Sequence, residues 1–238
     1  NRDHSITFWN QVAAEYKTNP AVMFDLANEP RIACHGCANT GESYAADSNK
    51  IWTLYRDGGT YTYGPNEVQT WDGKDLRNGA TFQIAGTQEL TNAIRSTGSK
   101  NVILIPGLGW ANSLDHWSQF KPNDPENQIG AIIHTYTNSG ANVNNLGNLD
   151  GQLNAGGVPG NFPLFVGEFG ENMCSGTGTG FHERTISWAD SHGYSYAAWG
   201  WDQGEGCNGP SLVSNNDTGA TFANGAVVKS AYQARQGL

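Results

Sequence analysis

The sequence has no long apolar run and little positive charge. No stretch approaches the roughly 20 apolar residues that a membrane-spanning helix needs, so we expect no membrane partner. The chain carries 13 Lys and Arg against 22 Asp and Glu, which gives a net charge of −9. An acidic chain of this kind repels phosphate backbones, so nucleic acid is not expected as a partner either.

A glycine-rich phosphate loop is also missing. No GxGxxG motif follows any apolar run that could be a strand. The stretch GTGTG at 176–180 lies well past the preceding apolar run and contains no Lys, so we interpret it as a loop. An open, doubly wound sheet that uses NAD or a phosphate compound is therefore disfavoured.

Cysteine is scarce and poorly spaced for a metal. A zinc site would need two close Cys pairs or added His ligands, and only Cys34 and Cys37 have that spacing. Two disulfides, Cys34–Cys37 and Cys174–Cys207, fit better and predict an oxidising compartment and a secreted protein. Free buried thiols in a cytosolic protein remain the alternative.

The sequence is rich in aromatic and small polar residues. It contains eight Trp, nine Tyr and 31 Gly, and Asn, Thr and Ser are plentiful. Low charge combined with Trp, Tyr and Asn suits a surface that binds neutral, hydroxyl-rich ligands. The alternative is a loop-rich secreted protein whose Trp side chains fill the core.

Short apolar runs alternate with helical patterns along the chain. Helices are predicted at 6–17, 81–97, 181–192 and 223–236, and strands at 21–27, 101–106, 130–136, 162–168 and 194–200. Strands that alternate with helices indicate βα units and a parallel sheet. The runs lack the alternation of half-exposed strands, so both faces of the sheet should be covered.

Polar and aromatic residues gather where each predicted strand ends. In a (β/α)8 barrel the carboxyl ends of the strands carry the active site. Two of these ends carry a glutamate, Glu29 in FDLANEP and Glu168 in FVGEFG. Hydrolysis of a glycosidic bond needs two carboxyl groups that face each other across the bond, so this pair suggests that chemistry. The other residues at these ends are Asn28, Trp110, His134, Tyr136, Trp199 and Trp201.

Four of these motifs together resemble glycoside hydrolase family five. Asn28-Glu29-Pro30 is similar to the family's strand-four motif, and FVGEFG to its strand-seven motif. His134-Thr135-Tyr136 resembles the strand-six His-x-Tyr, and Trp199 the strand-eight Trp. The motifs follow one another in the family's order over nearly the whole chain.

The resemblance implies a role for each residue. Glu29 would be the acid/base and Glu168 the nucleophile of a retaining mechanism. Asn28 would bind the sugar 2-hydroxyl, Tyr136 would orient Glu168, and His134 would bind sugar or tune a carboxyl group. Trp199 would stack on the sugar ring, and Trp110 and Trp201 would add binding surface; packing in the core is the alternative for His134, Trp110 and Trp201.

The front of the barrel is not evident in the sequence. A barrel unit takes about 31 residues, so about 90 should precede strand four, but 28 precede Glu29. We therefore expect residues 1–238 to form one partial (β/α)8 barrel, of the TIM-barrel type, with strands four to eight present and one to three missing. A missing N-terminal segment would then be needed to close it. The segment 31–80 is expected to be a long βα loop, whose aromatic residues could bind sugar or pack on one another.

The expected function is hydrolysis of a β-1,4-linked polysaccharide, and the resemblance favours an endo-β-1,4-glucanase. β-Mannanase or another β-glycosidase of the family remains open. So does a truncated, non-catalytic carbohydrate-binding protein, because the Arg and His that the family's strands two and three supply have no match here. Carboxylate chemistry requires neither a cofactor nor a metal.

Overall fold

The computed structural model describes residues 2–30, 48–62, 70–71, 74–75, 81–171, 180–204 and 209–236. No helix in these ranges combines the length and apolar character needed to cross a membrane. The helices are α1 Arg2–Tyr16, α2 Ser48–Asp57, α3 Thr87–Ser96, α4 Leu108–Ala111, α5 Trp117–Phe120, α6 Leu146–Ala155, α7 Phe181–His192 and α8 Ala223–Gln236. The strands are β1 Phe24–Asp25, β2 Gly59–Thr62, β3 Thr70–Trp71, β4 Lys74–Asp75, β5 Thr81–Ile84, β6 Ile103–Pro106, β7 Ile129–Tyr136, β8 Leu164–Gly170, β9 Ser195–Tyr196, β10 Val213–Asn215 and β11 Ala220–Thr221.

Five parallel strands form the central sheet in the order β1-β6-β7-β8-β9. Among these five, each strand lies beside the one that precedes it in the chain. A doubly wound sheet would instead reverse its strand order at a switch point. The predicted α/β fold of the barrel type, with five strands instead of eight, is confirmed.

The sheet is buried because its strands are apolar on both faces. In β6 and β7, Ile103, Ile105 and Ile133 are almost completely inaccessible to solvent. Trp117 is also fully buried, and its indole N–H donates to the carbonyl of Ile105 at 2.9 Å. Trp117 is thus a packing residue that holds α5 against the sheet.

The prediction of one helix over 81–97 is wrong for its first part. Residues 81–84 form β5, which pairs antiparallel with β2, and α3 begins at Thr87. The two parts are separated at Gly86, where a Cβ atom would lie 2.4 Å from the carbonyl oxygen of Arg56. Gly86 is extended, with φ −71° and ψ 149°, and forms the N-cap of α3, so the helix that periodicity suggests begins only after it.

The segment 31–80 is not a featureless loop. Its described part contains α2, on which Trp52 and Tyr55 are buried. Trp52 donates to Asp115 Oδ1 at 3.2 Å, and the Tyr55 hydroxyl donates to the carbonyl of Pro106 at 2.9 Å. These two aromatic residues therefore pack in the core, which leaves no face of either ring for a sugar.

The four cysteines lie outside the described residues. Cys34 and Cys37 fall in 31–47, Cys174 in 172–179, and Cys207 in 205–208. Their pairing, and the secreted location that it would indicate, stay predictions.

Candidate active site

The two predicted glutamates meet around one histidine ring. His134 Nδ1 lies 3.1 Å from Glu29 Oε1 and 3.3 Å from Glu168 Oε2. These three atoms all lie within 4.8 Å of one another. His134 itself is almost fully buried, with 2% of its side chain exposed, whereas Glu29 is 28% exposed at the mouth of the site. The acidic groups thus share a buried donor and open towards solvent.

Curvature of the sheet brings the Glu29 and Glu168 side chains close together. Glu29 follows β1, and Glu168 lies in β8, with β6 and β7 between them. On a flat sheet these strands would be separated by three strand spacings, roughly 14 Å. Carboxylate oxygens within 4.8 Å therefore require the sheet to curl towards its carboxyl edge, as in a barrel.

A β-bulge at Gly167 aligns the two central side chains. Ile133 pairs with Val166, but the next pair is His134 with Glu168, so Gly167 is the extra residue on β8. Without the bulge, His134 would lie opposite Gly167. A Cβ atom on Gly167 would lie 2.3 Å from Ile132 Cδ1 and 3.1 Å from His134 Nε2, so a larger residue here would have to displace the Ile132 side chain.

Tyr136 fixes the orientation of Glu168. Its hydroxyl donates to Glu168 Oε2 at 2.6 Å, a short bond of the kind that an ionised acceptor favours. His134 Nδ1 lies 3.3 Å from the same oxygen, a longer distance than its 3.1 Å to Glu29. Glu168 therefore has one firmly held oxygen, which leaves its other oxygen for a reacting atom.

The same three ligand atoms could in principle hold a divalent cation. An imidazole nitrogen and two carboxylates are a common ligand set for transition metals. Here the hydrogen bonds of His134 and Tyr136 to the carboxylates already account for the short distances. The arrangement therefore needs no ion to explain it.

Two neighbouring cavities of about 580 Å³ each lie beside Glu29. Both are lined by Glu29, Tyr136 and Asn138. We call the cavity that also contains Glu168 the Trp199 side and the other the Trp110 side. The Trp199 side is lined further by Asn28, Thr137, Gly170, Glu171, Trp199, Gly209 and Pro210. The Trp110 side is lined further by Gly109, Trp110, Asn112, Ser113, Asp115, Ser139, Gly140, Ala141, Asn148 and Gln152.

The predicted aromatic residues separate into two groups. Trp199 and Trp110 are 44% and 37% exposed, and each lines one side of the cleft. Trp201 is 53% exposed but lines neither cavity. The structure therefore brings Asn28, His134, Tyr136, Trp110 and Trp199 together with the glutamates, and it does not bring Trp201 there.

Sequence reasoning missed Glu171, which follows directly after β8. It is buried, and its Oε1 accepts hydrogen bonds from the backbone N–H of Phe181 at 3.1 Å and lies 3.3 Å from His182 Nδ1. Burial lowers the pKa of His182, although the Glu171 carboxylate opposes that change. Glu171 thus ties the start of α7 to the end of β8, and the strand-end rule that found Glu168 could have found it.

Several solved structures share this architecture. An endo-β-1,4-glucanase from Xanthomonas axonopodis pv. citri is 16% identical, with a TM-score of 0.57 over 95% of this chain and 64% of that one. XacCel5A in complex with cellopentaose is 17% identical, with a TM-score of 0.55 over the same shares. The catalytic domain of the Thermobifida fusca endoglucanase Cel5A is 19% identical, with a TM-score of 0.58 over 97% of this chain and 63% of that one.

These likenesses concern the fold, and the chain spans somewhat less than two thirds of each of these structures. No curated protein sequence matches it significantly. The sequence model named Cellulase (glycosyl hydrolase family 5) matches residues 2–205, which is most of the chain. By sequence, and in agreement with its fold, the chain belongs to glycosyl hydrolase family 5.

Proposed function

We propose that this chain carries the catalytic centre of a retaining endo-β-1,4-glucanase. The observation that supports retention is the distance between the carboxylates of Glu29 and Glu168, whose facing oxygens lie within 4.8 Å. Retaining glycosidases hold their two carboxyl groups about 5–5.5 Å apart, whereas inverting enzymes leave about 6.5–9.5 Å for a water molecule. The shorter spacing favours direct attack by one carboxylate.

The assigned roles follow from the contacts. The Glu168 carboxylate, oriented by Tyr136, attacks the anomeric carbon, and the bond from that carbon to the leaving oxygen breaks. Glu29, at the more exposed position, protonates the leaving oxygen. Water then attacks the glycosyl–Glu168 ester, with Glu29 accepting its proton, and both carboxyl groups return to their starting state. His134 lies against both groups and holds them at this spacing.

The shape of the cleft supports cleavage within a chain. Glu29 lines both cavities, so a polysaccharide that occupies both would extend from the reacting bond in two directions. Trp199, beside Glu168, provides an exposed ring for the sugar that becomes bonded to the enzyme. Trp110 provides one for the leaving part of the chain. Asn28 lies on the Trp199 side, where it can reach the 2-hydroxyl of the reacting sugar.

The substrate class rests on the family and on its neighbours. The family is that of cellulases, and one similar structure holds cellopentaose, so β-1,4-glucan is the first candidate. β-Mannan is the second, because the backbone linkage is the same and specificity depends on the loops. A non-catalytic carbohydrate-binding protein is a third candidate that the aromatic rings alone would permit.

Hydrolysis of soluble β-1,4-glucan and of β-mannan separates these candidates. We expect the chain to release reducing ends faster from the glucan, with a rapid drop in viscosity that marks internal cleavage. Proton NMR of cellopentaose digests should show the β-anomer first, because two displacements retain configuration. Glycan binding without release of reducing ends would favour the non-catalytic alternative, and an α-anomer would contradict the double displacement.

We also propose that further βα units close this sheet into a barrel. In the part of the chain that the structure describes, β1 pairs only with β6, and β9 pairs only with β8. Asp25, on the outermost strand, has a buried Oδ1 that finds no hydrogen-bond partner among the described residues. Burial raises the pKa of Asp25 to about 7, and the Glu168 charge adds to this, while the Ala27 backbone N–H opposes it.

Asp25 should make the free energy of unfolding depend on pH. The pKa of Asp25 is about 7 in the folded state against an ordinary 3.8. Between these two pH values the folded state therefore holds a proton that the unfolded state has lost. The contribution of Asp25 to stability is complete below the ordinary value and is lost as pH rises through about 7. Relative to the parent, Asp25→Asn should therefore gain roughly 2–3 kcal/mol in free energy of unfolding between pH 5 and pH 8.

Urea denaturation of both proteins at several pH values measures this difference. Asp217→Asn, at an exposed position, is the matched control and should follow the parent at every pH. An unchanged difference between Asp25→Asn and the parent would show that the carboxyl group is already paired in this chain. Addition of the closing units should abolish the pH dependence if they bring a donor or a cation to Asp25.

A further inference from the structure

A left-handed turn presents Trp110 to the cleft. Gly109, Trp110 and Ala111 all have positive φ, of 58°, 59° and 56°. Left-handed backbone costs L-residues roughly 1–2 kcal/mol each, and two of these three residues are not glycine. Conformations of this kind persist where surrounding contacts hold them, and they cluster at functional sites. We call residues 107–113 the Trp110 turn; it includes the short element α4, whose last three residues are left-handed.

The ends of the turn are closed by backbone hydrogen bonds. Leu108 and Ser113 exchange N–H to carbonyl bonds, each of 2.9 Å. Gly107 donates to the carbonyl of Ile132 in β7 at 3.2 Å, which anchors the turn to the sheet. These bonds fix the base of the turn, but they do not reach the cleft itself.

The side chain of Asn112 links the turn to the catalytic strand. Its Nδ2 donates to the carbonyl of His134 at 2.8 Å and to that of Ala141 at 2.9 Å. Its Oδ1 accepts the backbone N–H of Ala141 at 2.9 Å. One amide thus joins three pieces of the cleft: the turn that carries Trp110, the end of β7, and the loop at 137–145.

His134 links the Asn112 amide to the two glutamates. Its ring nitrogen lies 3.1 Å from Glu29 and 3.3 Å from Glu168, and Tyr136 also donates to Glu168 at 2.6 Å, so a displacement of the His134 backbone moves chiefly Glu29. Ala141, the other partner of Asn112, lines the same cavity as Trp110. Loss of the Asn112 amide would therefore loosen both the Trp110 side of the cleft and Glu29.

We propose that Asn112 is a positioning residue that aligns the leaving group, on the Trp110 side, with the proton of Glu29. This rests on the proposed function, because it needs Glu29 to protonate a sugar that lies on the Trp110 side. The step affected is cleavage of the bond to the leaving oxygen. Hydrolysis of the glycosyl–Glu168 ester, after the leaving group has gone, should be affected much less.

Two substrates with different leaving groups separate these steps. Cellopentaose has a sugar leaving group that needs both alignment and a proton. 2,4-Dinitrophenyl β-cellobioside has a leaving group that departs as an anion and does not fill the sugar positions of the Trp110 side. Asn112→Ala should lower kcat/KM on cellopentaose by about 100-fold, since displacements of about 1 Å have effects of that size. The loss on the aryl cellobioside should stay below about 5-fold, because proton transfer is not needed there.

Two further variants test whether the loss comes from the hydrogen bonds that the Asn112 amide donates. Asn112→Asp keeps the size and the Oδ1 acceptor but removes both donated bonds, so it should show the same selective loss. Asn161→Ala loses two amide-to-carbonyl bonds away from the cleft, to Gly157 at 3.2 Å and to Pro159 at 3.4 Å, and should match the parent on both substrates. Thermal melts compare the stability of the variants.

A double-mutant cycle with Trp110→Ala tests the coupling. If Asn112 acts by aligning the sugar on Trp110, then Asn112→Ala should cost much less on cellopentaose when Trp110 is already absent. Equal losses on the two substrates, or full additivity with Trp110→Ala, would overturn the proposal while leaving the hydrolase function intact. A parent protein inactive on both substrates would instead overturn the proposed function and this inference with it.

Discussion

Glu168→Gln is expected to reduce release of reducing ends from β-1,4-glucan by more than about 1,000-fold, because an amide cannot form the glycosyl ester. Its side-chain oxygen can still accept the Tyr136 hydroxyl that lies 2.6 Å from Glu168 in the parent. The variant should therefore fold and bind glycan normally. The measurement is reducing-end release at equal glycan occupancy, with binding followed by isothermal titration calorimetry.

A matched glutamate supplies the control for this experiment. Glu15→Gln removes the same charge from an exposed position on α1 and should leave hydrolysis unchanged. A 2-deoxy-2-fluoro cellobioside with a good leaving group should label the parent once, on the peptide that contains Glu168. Label on another residue, or activity of Glu168→Gln within tenfold of the parent, would remove Glu168 from the nucleophile's role.

Glu29→Ala should separate the two chemical steps. We expect hydrolysis of cellopentaose to fall by about 10²–10⁴-fold, because the leaving sugar oxygen then departs without a proton. With 2,4-dinitrophenyl β-cellobioside the first step should survive, since that leaving group needs no proton. Water would then attack the glycosyl ester slowly, so a burst of dinitrophenol followed by a slow phase is expected.

Rescue by azide would identify Glu29 as the acid/base residue. It attacks the ester without the help of a general base, so it should accelerate the slow phase of Glu29→Ala and yield a β-glycosyl azide. The parent should not respond, because its second step already has a base. A loss of equal size on both substrates, without azide rescue, would assign Glu29 a role other than acid/base and would favour a structural function for the Glu29–His134 contact.

The sequence predicted the positions of the glutamates better than the elements that carry them. Glu29 and Glu168 stand at the ends of apolar runs, and strand ends meet at one edge of a parallel sheet whatever the exact strand lengths. The first run was predicted as a strand over 21–27, but only Phe24 and Asp25 pair with the next strand. The error in strand length did not move the glutamates away from each other. Their positions depend on the strands being parallel and on the strand order in the sheet.

The aromatic residues were harder to place from sequence. Trp52 and Tyr55 on α2 are buried, and Trp201 is exposed but outside the cleft, while Trp110 and Trp199 line it. Nothing in the local sequence separates these cases. An aromatic ring gains from burial in a core as much as from contact with a sugar, so only the surrounding packing decides which occurs.

By itself the sequence determined the α/β class, the order of the strands and the strand ends at which Glu29 and Glu168 lie, because these follow from apolar periodicity and short motifs. The tertiary structure decided how the residues meet. Curvature of the sheet brings Glu29 to Glu168, the bulge at Gly167 turns Glu168 towards His134, and Asn112 joins the Trp110 turn to β7. Each of these depends on contacts between residues far apart in the chain, and local patterns carry no information about such distances.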